Sequence, residues 1–211
     1  MKSSDSASTN QAQAKPSHDG IDKIQQILSR LKGRPIVLIG MMGAGKTTVG
    51  RRLAARLNRD FIDSDAEIET AAGMQIADIF NIHGEPEFRA GETRVISRIL
   101  KQSNIILGTG GGAFMGARTR ELIKAMALSV WLKAEFDLLF ARVSRRSNRP
   151  LLHTPNPRKT LHNLMTERYP TYAEADITVT SRDVPHEIVA NQIIDQLHDF
   201  LTNERSNADD T

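Results

Sequence analysis

The stretch Gly40–Leu53, "GMMGAGKTTVGRRL", decides how this chain folds. It follows the apolar run Pro35-Ile36-Val37-Leu38-Ile39 and matches G-x-x-x-x-G-K-[ST], with Gly40, Gly45, Lys46 and Thr47 in the fixed places. The pattern describes a phosphate cradle. Its glycines let the backbone N–H groups over Gly43, Ala44, Gly45, Lys46, Thr47 and Thr48 turn toward an anion, and the helix that follows adds its dipole. Lys46 is expected to bridge the β- and γ-phosphates, and the Thr47 hydroxyl to ligate Mg²⁺. A chance glycine turn needs no amphipathic helix after it, whereas here Val49, Leu53, Ala54 and Leu57 supply one apolar face. The loop leaves the phosphoryl acceptor open.

Outward from the loop, apolar strands alternate with helical patterns. Strands are expected at 35–39, "RDFID" ending at Asp63, "NIILGT", "LSVWL" and "DITVT". Between them lie a helix over 21–32, the helix after the loop, one opened by a Ser64–Glu67 capping box and stopped by Gly73, a helical continuation in "IADIF", and a longer helix through "HGEPEFRAGETRVISRILKQ". Further helices follow around Leu122 and Met126, over "AEFDLLFARVSRR", over 158–168 ending before Pro170, and over "PHEIVANQIIDQLHDFL". This alternation predicts an α/β fold, a parallel sheet covered by helices on both faces. Right-handed crossovers then set all strand C-terminal ends along one edge, where such sheets bind ligands.

Composition narrows the chemistry. With no cysteine in 211 residues, disulfides and thiolate metal sites are excluded, and a reducing cytoplasmic setting is expected. The six histidines are scattered without ligand spacing, so a metal should be a hard cation bound through oxygen. A formal charge of +3 with one Trp and two Tyr lacks the basic stripe and stacking aromatics of a nucleic-acid binder. No apolar run approaches the ~18 residues of a membrane helix. The polar stretch 1–20 has no apolar signal region and reads as a disordered tail, as does 204–211, leaving 21–203 as a single domain.

Three further motifs fall at strand ends. Asp63 of "DSD" is placed to reach the metal through water, and Asp65, two residues on, to face the acceptor. The bland alternative is a helix start enriched in acid by the dipole. The run Gly110-Gly111-Gly112 in "TGGGA" costs chain entropy and makes sense where a ligand touches backbone; a tight turn needs only one such residue. Arg89 in "EPEFR" and Arg168 in "ERYPTY" are, taken singly, ordinary surface charges.

Read in order, the P-loop, "FIDSD", "EFR", "GTGGGA", "RPLL" and "ERYPTYAEAD" resemble the shikimate kinase family over about residues 35–200. The resemblance implies a three-layer α/β/α P-loop kinase with a five-stranded parallel sheet, acting as a monomer. It implies transfer from Mg²⁺·ATP to the 3-hydroxyl of shikimate, on the route to chorismate and the aromatic amino acids. By position, Asp65 resembles the acid that holds the shikimate hydroxyls, and Arg89 and Arg168 the pair that grips its carboxylate. Gly110, Gly111 and Gly112 resemble the run packed against the ring. Arg142 resembles an arginine stacked on adenine, and Arg149 in "NRPLL" a lid arginine that reaches the transferring phosphate. The resemblance makes 64–92 the substrate-binding segment and the basic loop at about 144–157 the lid. The adenine contact after the last strand, within "TSRDVP", is left unassigned.

Two rivals stay open at this level. A gluconate kinase would share the P-loop and is expected to lack the paired arginines and "TGGG". A binding module would sense nucleotide or shikimate without turnover.

Overall fold

The computed structural model describes residues 18–145 and 154–209. Its strands are β1 (Ile36–Ile39), β2 (Asp60–Asp63), β3 (Ile105–Gly108), β4 (Leu128–Ala134) and β5 (Ile177–Ser181). They form one sheet in the order β2-β3-β1-β4-β5, with every pairing parallel. The central strands β1 and β3 are buried along their whole length, because helices cover both faces and leave no side for polar residues. The edge strand β5 alternates between buried and accessible positions.

The helices are α1 (His18–Leu31), α2 (Lys46–Leu57), α3 (Ser64–Ala72), α4 (Ile76–Ile99), α5 (Ala117–Met126), α6 (Phe136–Ser144), α7 (Pro157–Tyr172) and α8 (His186–Asp209). α8 packs against both α1 and α2 on one face, while α4 packs against α5 on the other. α2 buries Val49, Gly50, Leu53, Ala54 and Leu57, the face its spacing predicts. α4 is two helical pieces joined at Gly84, whose φ of 77° interrupts the helix two residues before Pro86. No helix among the described residues is long and apolar enough to cross a membrane.

Four local expectations differ from the structure. The cap of α3 is Asp63, whose carboxylate accepts the Asp65 N–H, so no Ser64–Glu67 box forms. Ser64 is instead buried, and its hydroxyl accepts the Gly110 N–H at 3.1 Å. α7 runs through Pro170 to Tyr172. Proline forfeits one backbone bond there, and the fully buried Tyr172 holds the turn in place. At the ends, α1 begins at His18 and leaves Ile21 44% exposed, outside the core that Ile27 and Leu31 join. α8 continues to Asp209, into the polar stretch read as a tail; Glu204 lies 3.9 Å from Arg34 and ties that turn to the body.

Candidate active site

The P-loop leaves the C-terminal end of β1, the middle strand, and enters α2. Gly43 and Gly45 hold φ values of 80° and 97°, a region that costs other residues steric strain. Gly45 caps α2 without a side-chain hydrogen bond, so the first-turn N–H groups face the cavity, ready for an anion. Lys46 folds back over the loop, its Nζ donating to the carbonyls of Gly40 (2.8 Å) and Met41 (3.0 Å). The cavity beside it measures about 420 Å³ and is lined by Lys46, Thr47, Asp63, Asp65, Gly110 and Arg142 among others.

Thr47 and Asp63 come from different elements and meet. The Thr47 hydroxyl donates to Asp63 Oδ2 at 3.1 Å, while Oδ1 of the same carboxylate caps α3. Among the described residues no cluster of three or more His, Cys, Asp or Glu can hold a metal. A hydroxyl beside one carboxylate fits Mg²⁺, which takes few protein ligands and keeps water and phosphate oxygens.

The glycine run explains itself once the fold is formed. A Cβ on Gly110 would lie 2.7 Å from Asp65 Oδ1. On Gly111 it would lie 3.6 Å from Arg168 Nη1, and on Gly112 it would lie 2.7 Å from Arg89 Nη1. Each of three consecutive glycines is therefore faced by one of the three side chains that sequence reading assigned to substrate. They come from α3, α7 and α4, so only tertiary structure unites them.

The two arginines are held differently. Arg89 Nη1 donates to Glu92 at 2.7 Å and Nη2 to Glu85 at 3.2 Å. Burial works against the Arg89 charge, and the two glutamates outweigh it, so its pKa is raised. Glu92 is itself only 2% exposed, and burial pushes its carboxyl pKa up against the pull of Arg89. Arg168 is buried at 8% exposure, and its Nε is shut from solvent without a partner among the described residues. A buried N–H of a guanidinium left unpaired is costly and fits a planar anion such as a carboxylate. The Arg168 charge acts on the hydroxyl of Tyr172, whose pKa burial pushes up to about 12 against it. That hydroxyl in turn donates to the Gly111 carbonyl.

On the opposite side of the loop, Arg142 donates to the Gly43 carbonyl (3.4 Å), to Ser181 (3.2 Å) and to the Arg182 carbonyl (3.0 Å). Arg149 and the centre of the predicted lid lie outside the described residues. Sequence reasoning missed Glu92, Tyr172 and His186. Glu92 follows Arg89 by three residues and Tyr172 follows Arg168 by four, spacings that put each on its arginine's helix face. His186, which also lines the cavity, carries no such signal.

A family model described as shikimate kinase matches residues 42–198. A shikimate kinase of Rhodopseudomonas palustris is 57% identical over 176 residues, covering 83% of this chain and 87% of its own length. One from Paramagnetospirillum magneticum is 49% identical over 188 residues, covering 89% and 96%. Among solved structures, shikimate kinase from Acinetobacter baumannii in complex with shikimate superposes with a TM-score of 0.75 at 40% identity, covering 80% of this chain and 94% of that one. A gluconokinase from Sinorhizobium meliloti, at 16% identity and a TM-score of 0.57, shares the fold alone. Model, relatives and glycine-lined site agree, and the chain belongs to the shikimate kinase family.

Proposed function

We infer that this chain transfers the γ-phosphoryl group of ATP to the 3-hydroxyl of shikimate, giving shikimate 3-phosphate and ADP, and works as a monomer in the cytoplasm. The observation that carries the assignment of the acceptor site is the facing of Gly110, Gly111 and Gly112 by Asp65, Arg168 and Arg89. Shikimate is small and anionic with three hydroxyls. Two arginines match its carboxylate and one aspartate its hydroxyls.

The transition state of phosphoryl transfer is loose, so positioning and charge neutralisation dominate. The P-loop amides from Gly43 to Thr48 hold the phosphates, and Lys46 exchanges the carbonyls of Gly40 and Met41 for phosphate oxygens. The Thr47 hydroxyl and Asp63 would hold Mg²⁺, which would supply charge neutralisation for the transferring phosphoryl group. Asp65 orients the attacking hydroxyl and accepts its proton as the new bond forms. Arg89 and Arg168 fix the opposite end of the ring. Glu92 holds Arg89 in place, and Tyr172 holds the glycine run through the Gly111 carbonyl. Arg142 packs on the nucleotide. The family resemblance assigns Arg149 to the lid, where it meets the transferring phosphate, and 64–92 to closure over shikimate.

The experiment is a coupled ADP-release assay with shikimate, with gluconate and with neither. ADP should appear with shikimate and stay at background otherwise. Release with gluconate but not shikimate overturns the acceptor, and nucleotide binding without release makes the chain a sensor.

A further inference from the structure

The P-loop and the glycine run leave neighbouring strands and then part. The last link between them is Thr109, just beyond the β1–β3 ladder, whose N–H and hydroxyl both donate to the Leu38 carbonyl at 3.2 and 3.0 Å. Past that point no backbone hydrogen bond joins 40–45 to 110–112 among the described residues. Yet the two segments touch. A Cβ on Gly111 would lie 3.6 Å from both the Gly40 carbonyl oxygen and the Met42 nitrogen. One segment receives the phosphates and the other floors the acceptor site. Their spacing therefore sets how far the attacking hydroxyl stands from the γ-phosphate.

Two buried hydroxyls hold the run. Ser64 accepts the Gly110 N–H and sets that end against α3, the helix that carries Asp65. Tyr172 donates to the Gly111 carbonyl, and its oxygen also lies 3.9 Å from Sδ of Met41 in the P-loop. Tyr172 thus bridges the two segments that the backbone leaves unjoined. It stands one turn beyond Arg168 on α7, so the same helix carries an acceptor-site arginine and this tie. Tyr172 is fully buried and does not line the P-loop cavity, so it acts through backbone rather than by touching a ligand. Burial pushes its pKa up to about 12, which keeps the hydroxyl a donor at every working pH. Without it the Gly111 carbonyl loses its donor, and nothing else fixes that peptide relative to the P-loop.

We propose that Tyr172 is a positioning residue for phosphoryl transfer: its hydroxyl fixes Gly111 against the P-loop and so sets the acceptor at the attack distance from the γ-phosphate. This rests on the reading that the glycine run floors the shikimate site. It adds that the donor and acceptor halves are held in register by one buried side chain that meets neither substrate.

The test is Tyr172→Phe, which keeps the ring and its packing beside Trp131 and removes only the hydroxyl. Titration calorimetry with ADP and with shikimate counts the competent sites, and steady-state rates are divided by that count. The kcat per site should fall about 10- to 100-fold, the effect of displacing reacting groups by up to about 1 Å. The KM values of ATP and shikimate should each stay within about threefold, because every group that touches a substrate is still present. A kcat per site within about twofold of wild type overturns the proposal. So does a variant that fails to fold, or one that raises both KM values as much as it lowers kcat, since each makes the hydroxyl a structural element. Wild type without shikimate-dependent ADP release would instead overturn the acceptor reading, so the two failures are distinguishable.

Discussion

Glu92 and Arg89 form an ion pair at 2.7 Å in which the acid is 2% exposed and the arginine side chain 33%. The glutamate is thus the dependent partner. It is buried beside the substrate site, with its pKa already pushed up by burial and held in check by Arg89. An acid with a raised folded pKa contributes stability that is fully present below its unfolded pKa. That stability is lost as pH rises through the folded value. Arg89→Ala removes the opposing pull, so its melting temperature should fall further behind wild type between pH 5 and 8. The cost at the alkaline end should be about 1–3 kcal/mol, that of an unpaired buried polar group. Arg89→Ala/Glu92→Gln should recover most of that gap, and melting curves across pH check both. A gap independent of pH would mean that Glu92 does not depend on Arg89.

Asp63 has two roles that one substitution separates. Its carboxylate caps α3 and accepts the Thr47 hydroxyl. Asn caps a helix as well as Asp but lacks the charge for a cation. Asp63→Asn should therefore melt within about 0.5 kcal/mol of wild type, yet need several-fold more Mg²⁺ for half-maximal activity. Titrating Mg²⁺ against rate checks this, and an unchanged requirement would remove Asp63 from the metal site.

Lys46→Ala should leave the fold intact and lower kcat by about 10²–10³, the loss of one preorganised charge contact. Circular dichroism and initial rates check it. A folded variant keeping more than a third of its activity would contradict the role given to Lys46.

Gly112→Ala places a methyl group against the Arg89 guanidinium, at 2.7 Å from Nη1. Arg89 must swing away, so the shikimate KM should rise roughly 10-fold or more, as for a disturbed charged hydrogen bond. The ATP KM should stay put, because Gly112 is not among the residues lining the P-loop cavity. Equal rises in both constants would point to a general loss of packing.

Much of this was legible in the chain because it is local. The P-loop, the five strands and the glycine run each declare themselves within a dozen residues. What was illegible depends on contacts between distant segments. Ser64 reads as a cap from its neighbours, yet the fold uses its hydroxyl to hold Gly110, 46 residues away. Pro170 reads as a helix stop, yet burial of Tyr172 carries α7 past it. That one glycine each would face Asp65, Arg168 and Arg89 follows only from the crossing of α3, α4 and α7 over the end of β3. His186 matches no motif and lines the cavity only because the closing helix is docked against Gly45.

An analogue of shikimate lacking the carboxylate separates a clamp of Arg89 and Arg168 on that group from any other role of the two arginines. Arg89→Ala and Arg168→Ala should each raise the shikimate KM about 10- to 150-fold, the worth of a hydrogen bond to a charged group. The double variant should cost less than the sum, since both arginines share one ligand group. With the analogue, wild type should turn over poorly and both alanine variants no worse than wild type. If wild type phosphorylates the analogue as well as shikimate, Arg89 and Arg168 do not grip the carboxylate, and the acceptor site described here is wrong.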